Sequence, residues 1–201
     1  ADELAEELKS PSHLPERIAR VIRAYANPEG EDADEVDTSL PFARSLFAAY
    51  YEECAAAGSR FLREWSEFDR TLRNIIAAAT ARAQGTPIDS VLGGGEAVEQ
   101  MQHSSASDFG LRGELPYIDA VISTVNDEHN LLDKERKLDR IRWDMASELS
   151  VFDYFDINAV LAYLVKINIV ARWSLLDGKY GRQMFERLMA ELDGKELVNK
   201  L

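Results

Sequence analysis

Phe61-Leu62-Arg63-Glu64-Trp65-Ser66-Glu67-Phe68-Asp69-Arg70-Thr71-Leu72-Arg73-Asn74-Ile75-Ile76-Ala77-Ala78-Ala79 is the stretch that decides the fold. Its apolar residues Phe61, Leu62, Trp65, Phe68, Leu72, Ile75, Ile76 and Ala79 recur at spacings of three and four. That rhythm lines one side of a 3.6-residue helix, whereas a half-buried strand needs strict alternation. Arg63, Glu64, Glu67, Arg70 and Arg73 fall on the other faces, where a pair such as Glu67 with Arg70 adds about 0.2–0.5 kcal/mol. Ser59 is placed to cap the helix. Burying the eight apolar side chains contributes on the order of 10–20 kcal/mol gross. Chain entropy offsets most of it. A long two-faced helix of this kind needs helical neighbours.

Those neighbours are legible on both sides. Upstream, Ile18, Val21, Ile22 and Tyr25 mark a helix from Leu14 to Ala26, with Pro15 in its first turn and Asn27-Pro28 at its end. A second helix starts near Pro41, with Thr38 or Ser39 as its cap, Leu46, Phe47, Tyr50 and Tyr51 along one side, and Gly58 as its stop. Downstream, Gly85, Pro87, Gly93, Gly94 and Gly95 make residues 85–95 a linker or sharp bend. A short helix is expected over Glu96–His103, and a polar loop over Ser104–Gly113. Pro116 opens a helix that turns Ile118, Val121, Ile122 and Val125 inward, and Asn126–Asn130 breaks it. Leu131–Leu149 follows, with Leu138, Ile141, Met145 and Leu149 on one face. Ser150-Val151-Phe152-Asp153 reads as a variant capping box for the next helix. That helix, Ile157–Trp173, is apolar on most faces and is therefore expected at the centre of the bundle. Asp177-Gly178 ends it. Tyr180–Leu192 forms a last amphipathic helix, closed by Gly194. With no period-two run of β-branched residues, the fold class is all-α. It is a multi-helix bundle of seven or eight helices over residues 1–201, built as one body or as two lobes hinged near 85–95.

The chain has 201 residues, 46% of them apolar, and a net charge of −13. Such an acidic surface repels phosphate backbones, so nucleic acid is not a partner. Glu29, Glu31, Asp32, Asp34, Glu35 and Asp37 crowd one interhelical stretch. It reads as a solvated, mobile loop or as a docking surface for a basic partner. Its carboxylate spacing does not follow the EF-hand pattern. Cys54 is the only cysteine, so no disulfide forms within the chain and a cytosolic setting is the default. The alanine-rich surroundings of Cys54 suit a small buried residue and not a thiolate nucleophile. Ala1-Asp2-Glu3-Leu4 does not start a signal peptide. The longest apolar stretch, Ala159–Val170, is interrupted by Lys166 and Asn168 and is too short to span a bilayer. The first residue is not Met, and an additional N-terminal segment is expected upstream.

No catalytic motif is complete. Gly93-Gly94-Gly95-Glu96 lacks the Lys and Ser or Thr of a phosphate loop and follows no strand. Asp108-Phe109-Gly110 matches a kinase tripeptide without the glycine loop or catalytic loop that would give it meaning. The histidines are His13, His103 and His129. Glu99 and His103 share a helix face, but neither the repeated Glu-x-x-His of di-iron bundles nor His-Glu-x-x-His is present. Gly-x-Ser-x-Gly is absent. Paired carboxylates such as Glu6-Glu7 and Glu52-Glu53 are what a strongly acidic composition produces anyway, with nothing to drive their pKa values apart. No catalytic, cofactor-binding or metal-ligating residue is assigned, and no cofactor is expected.

The stretch Phe61–Ala78 resembles part of a bacterial family encoded in V-type ATPase operons, where it stands in for the C-type central-stalk component, the d-type of eukaryotes. Asp108-Phe109-Gly110-Leu111 with Glu114-Leu115-Pro116-Tyr117-Ile118 fits the same family. So does Phe152-Asp153-Tyr154-Phe155 leading to Leu161-Ala162-Tyr163-Leu164 and Ala171-Arg172-Trp173. The resemblance spans about residues 42–190. It implies an all-helical, non-catalytic adaptor between the membrane rotor ring and the soluble central shaft of a proton- or sodium-translocating V-type ATPase. Its partners would be the other subunits of that complex. It would be cytoplasmic and peripheral to the membrane, reached only through the complex. The alternatives are an all-helical enzyme with a site of scattered carboxylates, or a free-standing regulatory binding module. The Glu29–Asp37 stretch and the 104–113 loop are the candidate contact segments.

Overall fold

The computed structural model describes residues 11–88, 93–95, 97–127, 130–176, 178, 179, 181–183 and 186. Among these residues the chain is wholly helical, with no strand. Its elements are α1 (Glu16–Ala26), a 3-10 turn (Glu31–Asp34), α2 (Phe42–Ala55), α3 (Arg60–Gln84), α4 (Val98–His103), α5 (Ile118–Asn126), α6 (Leu131–Glu148) and α7 (Ile157–Ser174). The sequence expectations for Tyr180–Leu192, Gly194, Asp177, Glu96, His129 and Glu6-Glu7 fall wholly or partly outside the described residues.

α3 is the organising element. Ser59 caps it by accepting the Leu62 N–H, and Gly85 closes it in the left-handed conformation, φ +69°, as a C-terminal glycine does. Phe61, Trp65, Phe68, Leu72, Ile75 and Ala79 are all buried along it, as the three-and-four rhythm predicts. α2, α4, α5, α6 and α7 each pack against it. Around this stripe the core gathers Met101, Phe109, Leu111, Ile118, Val121, Leu138, Ala146 and Ala162. α1 lies on α2, with Ala19, Val21, Ile22 and Ala24 buried.

Local details differ from the sequence expectation where a short polar side chain had more than one possible partner. Neither Thr38 nor Ser39 caps α2: its N-cap is Pro41, and Ser39 instead turns its N–H and hydroxyl onto Asp37 Oδ1 at 3.0 and 2.5 Å. α2 ends at Ala55, ahead of Gly58. Ser150 does not cap α7. It donates to the Ala146 carbonyl at 2.8 Å, and the cap is Asp156, which accepts from the N–H groups of Asn158 and Ala159. The acidic stretch holds the 3-10 turn. Arg23 bonds Asp32 at 2.8 Å and Arg20 bonds Glu35 at 2.5 Å, so α1 neutralises part of the acid. The Arg23 bond holds the Asp32 carboxyl below its ordinary range. The 104–113 segment is not a plain surface loop either. Phe109, at φ +56°, is fully buried, and Leu111 is buried beside it. The Arg82 guanidinium lies 4.0 Å above the Phe109 ring while donating to the carbonyls of Ser104 and Ala106.

Candidate protein-docking surface

The largest departure from the sequence reading is α7. Its apolar composition predicts a central helix, yet Ala162 is its only buried residue among those described. Composition shows that several faces want cover; it does not show that this chain supplies all of it.

The inner face of α7 is held by polar latches. Asn158 accepts the Ser59 hydroxyl at 2.9 Å and the Phe61 N–H at 3.2 Å. Leu161 and Val165 pack half-buried on the core. At the far end the Trp173 indole N–H donates to Asp139 Oδ2 at 2.8 Å, and Arg172 reaches the same oxygen at 2.8 Å and Glu135 at 2.9 Å. Lys166 lies over the Trp143 ring midway. Since 172–173 meet 135–139 and 166 meets 143, α6 and α7 run antiparallel. Asp139 also accepts from Arg142 at 3.0 Å, and Arg142 stands 3.6 Å from Asp69 on α3. Asp69 accepts the Tyr51 hydroxyl at 2.8 Å and Arg73 Nε at 2.9 Å. Burial and the neighbouring Asp69 charge push the Tyr51 phenol up. One chain of charged bonds thus ties α2, α3, α6 and α7 together.

The outer face of α7 is different. Ile157, Val160, Leu164 and Ile167 are 59, 51, 47 and 41% exposed. Their spacing is three, four, three, continued by Ala171, the same rhythm as the buried row of α3. Such a row is a helix-packing seam, with a and d positions ready to receive another helix. Tyr163 and Val170 widen it. The turn that enters α7 adds Val151, Phe152, Tyr154 and a fully exposed Phe155, and Leu175 and Leu176 stand exposed beyond its end. An exposed apolar surface of this extent is a candidate place of contact. Burying the exposed half of the four seam side chains alone contributes on the order of 3–6 kcal/mol gross. The sequence signal for it was present as apolar residues on more faces than one contact can bury.

The motifs weighed for chemistry do not come together. Glu99 and His103 meet only through a backbone contact, His103 Nδ1 to the Glu99 carbonyl at 3.0 Å. His13 sits beside Ser12 at 2.9 Å. Asp108 accepts the Gly110 N–H at 3.0 Å and lies 3.5 Å from Arg112. Gly93 and Gly94 are bonded to the Asn74 amide on α3 at 2.9 and 3.1 Å. Cys54 is buried, and burial pushes its thiol up, away from thiolate chemistry. Glu53 stands 3.8 Å from Arg17. Among the described residues no three His, Cys, Asp or Glu side chains converge as a metal site, and no helix is long and apolar enough to cross a membrane.

No curated protein and no solved structure matches the chain. A family profile described as "protein of unknown function (DUF2764)" matches residues 3–195. Because that match covers nearly the whole chain, the protein belongs to the DUF2764 family.

Proposed function

We propose that this chain is a non-catalytic structural subunit of a V-type ATPase, docked through the outer face of α7 and the turn before it. It acts in the cytoplasm, at the membrane only through the complex, between the rotor ring and the soluble central stalk. The observation that carries the reading is the exposed seam of Ile157, Val160, Leu164 and Ile167, an apolar row that none of the described residues buries. The resemblance of Phe61–Ala78, Asp108–Ile118 and Phe152–Trp173 supplies the identity of the partners.

The mechanics follow from the bonds beneath the seam. Force applied to α7 passes through Trp173 and Arg172 to Asp139, through Arg142 to Asp69, and so into α3. Multiply bonded charges give a stiff connection, which is what a coupling element needs. The same bonds support a structural role for the interior carboxylates. Asp69 and Asp139 each bond arginines, which makes them fixed acceptors of the interior network. The test is to isolate the V-type ATPase from native membranes and look for this chain by mass spectrometry. Stoichiometric recovery is expected, with loss of the chain when Leu164→Asp and Ile167→Asp are combined. An intact, active complex isolated without it would sink the proposal.

A further inference from the structure

Between residues 151 and 176 the exposed apolar side chains stand in mirror order about a point between Tyr163 and Leu164. Counting outward from that point, Val160 answers Ile167 and Ile157 answers Val170, each pair equally far from it. The order continues past the ends of α7, where Phe152 is matched by Leu175 and Val151 by Leu176. The remaining exposed rings, Tyr154 and Phe155, fall opposite Trp173 and Arg172, a ring and a cation that each suit an aromatic partner. A strip that reads the same in both directions fits a second copy of itself turned by half a turn. In a twofold contact residue i meets j while j meets i, so every exposed group needs its counterpart on the other side of the midpoint.

Charge and area agree with that fit. The stretch holds four ionised side chains, and each is engaged within its own chain: Asp153 bonds Arg60 at 2.6 Å, Asp156 caps α7, Lys166 lies over Trp143, and Arg172 bonds Glu135 and Asp139. The outer strip therefore presents no unengaged charge, although the chain as a whole carries −13. Two such acidic chains repel over most of their surface, and an uncharged apolar strip is where they can meet. At roughly 150–250 Å² for a whole aromatic side chain, the exposed parts of Phe152, Tyr154, Phe155 and Tyr163 present roughly 500–800 Å². A standard stable interface takes about 800 Å² from each partner, and the aliphatic rows of α7 supply the remainder.

We infer that two copies of this chain pair through the outer face of α7, antiparallel, about a twofold axis between Tyr163 and Leu164. Val160 of each copy lies on Ile167 of the other, and the rings of each entry turn reach the far end of the other's helix. This is the state of the chain outside the proposed complex, whose subunits displace the second copy from the seam. The dimer rests on the same seam as the proposed docking, yet the two fail separately: the purified chain reports the one and native membranes report the other.

The test is sedimentation equilibrium of the full chain over a dilution series, with cross-linking to fix the register. Twice the chain mass is expected at micromolar concentration, since a contact of standard area holds at micromolar or tighter. Leu164→Asp sets two charges beside the axis and is expected to weaken association at least about tenfold while circular dichroism stays unchanged. Should that variant lose helix, the register is still read from two single-cysteine chains in a Cys54→Ala background, Val160→Cys and Ile167→Cys. Mixed under oxidised glutathione, they should form the 160–167 disulfide in preference to 160–160 or 167–167, whose positions lie about 10 Å apart along the paired helices. A monomer at about 100 μM overturns the inference, whether the seam then lies under other residues of the chain or waits for a different protein. A dimer that a folded Leu164→Asp leaves intact overturns it as well, and so does preference for the 160–160 disulfide, which marks a parallel pair.

Discussion

If α7 carries its seam on the outside, truncating that seam must cost the isolated chain little. The clean comparison is Leu164→Ala against Ile75→Ala. Ile75 is fully buried in the α3 stripe, so its truncation leaves a closed cavity and costs about 2–5 kcal/mol. Leu164 is 47% exposed, so roughly half its transfer free energy of about 1.5–3 kcal/mol is at stake, and the space opened fills with water. Leu164→Ala is therefore expected to cost about 1 kcal/mol or less. At about 2–4 °C per kcal/mol for a chain of this length, Ile75→Ala lowers the unfolding temperature by roughly 4–20 °C and Leu164→Ala by no more than about 4 °C. Circular dichroism with heat and with urea measures both, at two protein concentrations so that self-association is seen. Equal destabilisation by the two substitutions, at every concentration, would mean that α7 is covered on both faces, and the docking surface would be lost as an idea.

Further consequences follow from the charged chain and the turns. Asp139→Ala removes the acceptor shared by Arg142, Arg172 and Trp173, leaving Arg142 to Asp69 and Arg172 to Glu135, so unfolding free energy should drop by about 1–3 kcal/mol; no measurable loss would show the network to be loose. Gly85→Ala meets no atom within 4 Å but forces an L residue to φ +69°, and should cost about 1 kcal/mol in chemical denaturation; no change there would contradict the left-handed cap. Burial raises the phenols of Tyr51 and Tyr117, the latter to about 12, so the unfolded chain ionises first as pH climbs. Stability should hold below about pH 10 and decline from there toward pH 12, and Tyr117→Phe should flatten that decline in a pH series of urea melts. Burial of Cys54 predicts slower alkylation by iodoacetamide at pH 8 than for a free thiol of the same concentration, with equal rates once the chain is unfolded.

The α3 stripe was readable because it is narrow. Phe61, Trp65, Phe68, Leu72, Ile75 and Ala79 define one line, and a single line has one place to go. Ser59 and Asn27-Pro28 were equally readable, since each acts within its own turn. The 104–113 segment was not. Polar residues and glycines surround Phe109 and Leu111, so the composition signals loop while two side chains carry the packing. Interior charge was hidden for a different reason: Asp139 meets Trp173 across 34 residues, and no local pattern announces such a partner.

α7 exposes the deeper limit. Its inner row, Leu161, Ala162, Val165 and Ile169, and its outer row, Ile157, Val160, Leu164 and Ile167, are alike in composition. Hydrophobicity therefore cannot choose between them. The choice is made by the polar residues at either end. The Asn158 amide oxygen accepts from the start of α3, and Trp173 with Arg172 bonds Asp139. Once those latches close, rotation of the helix is fixed and the second apolar row must face outward. A helix with two apolar rows and polar latches for only one of them is thus built for two contacts, of which the described residues make one.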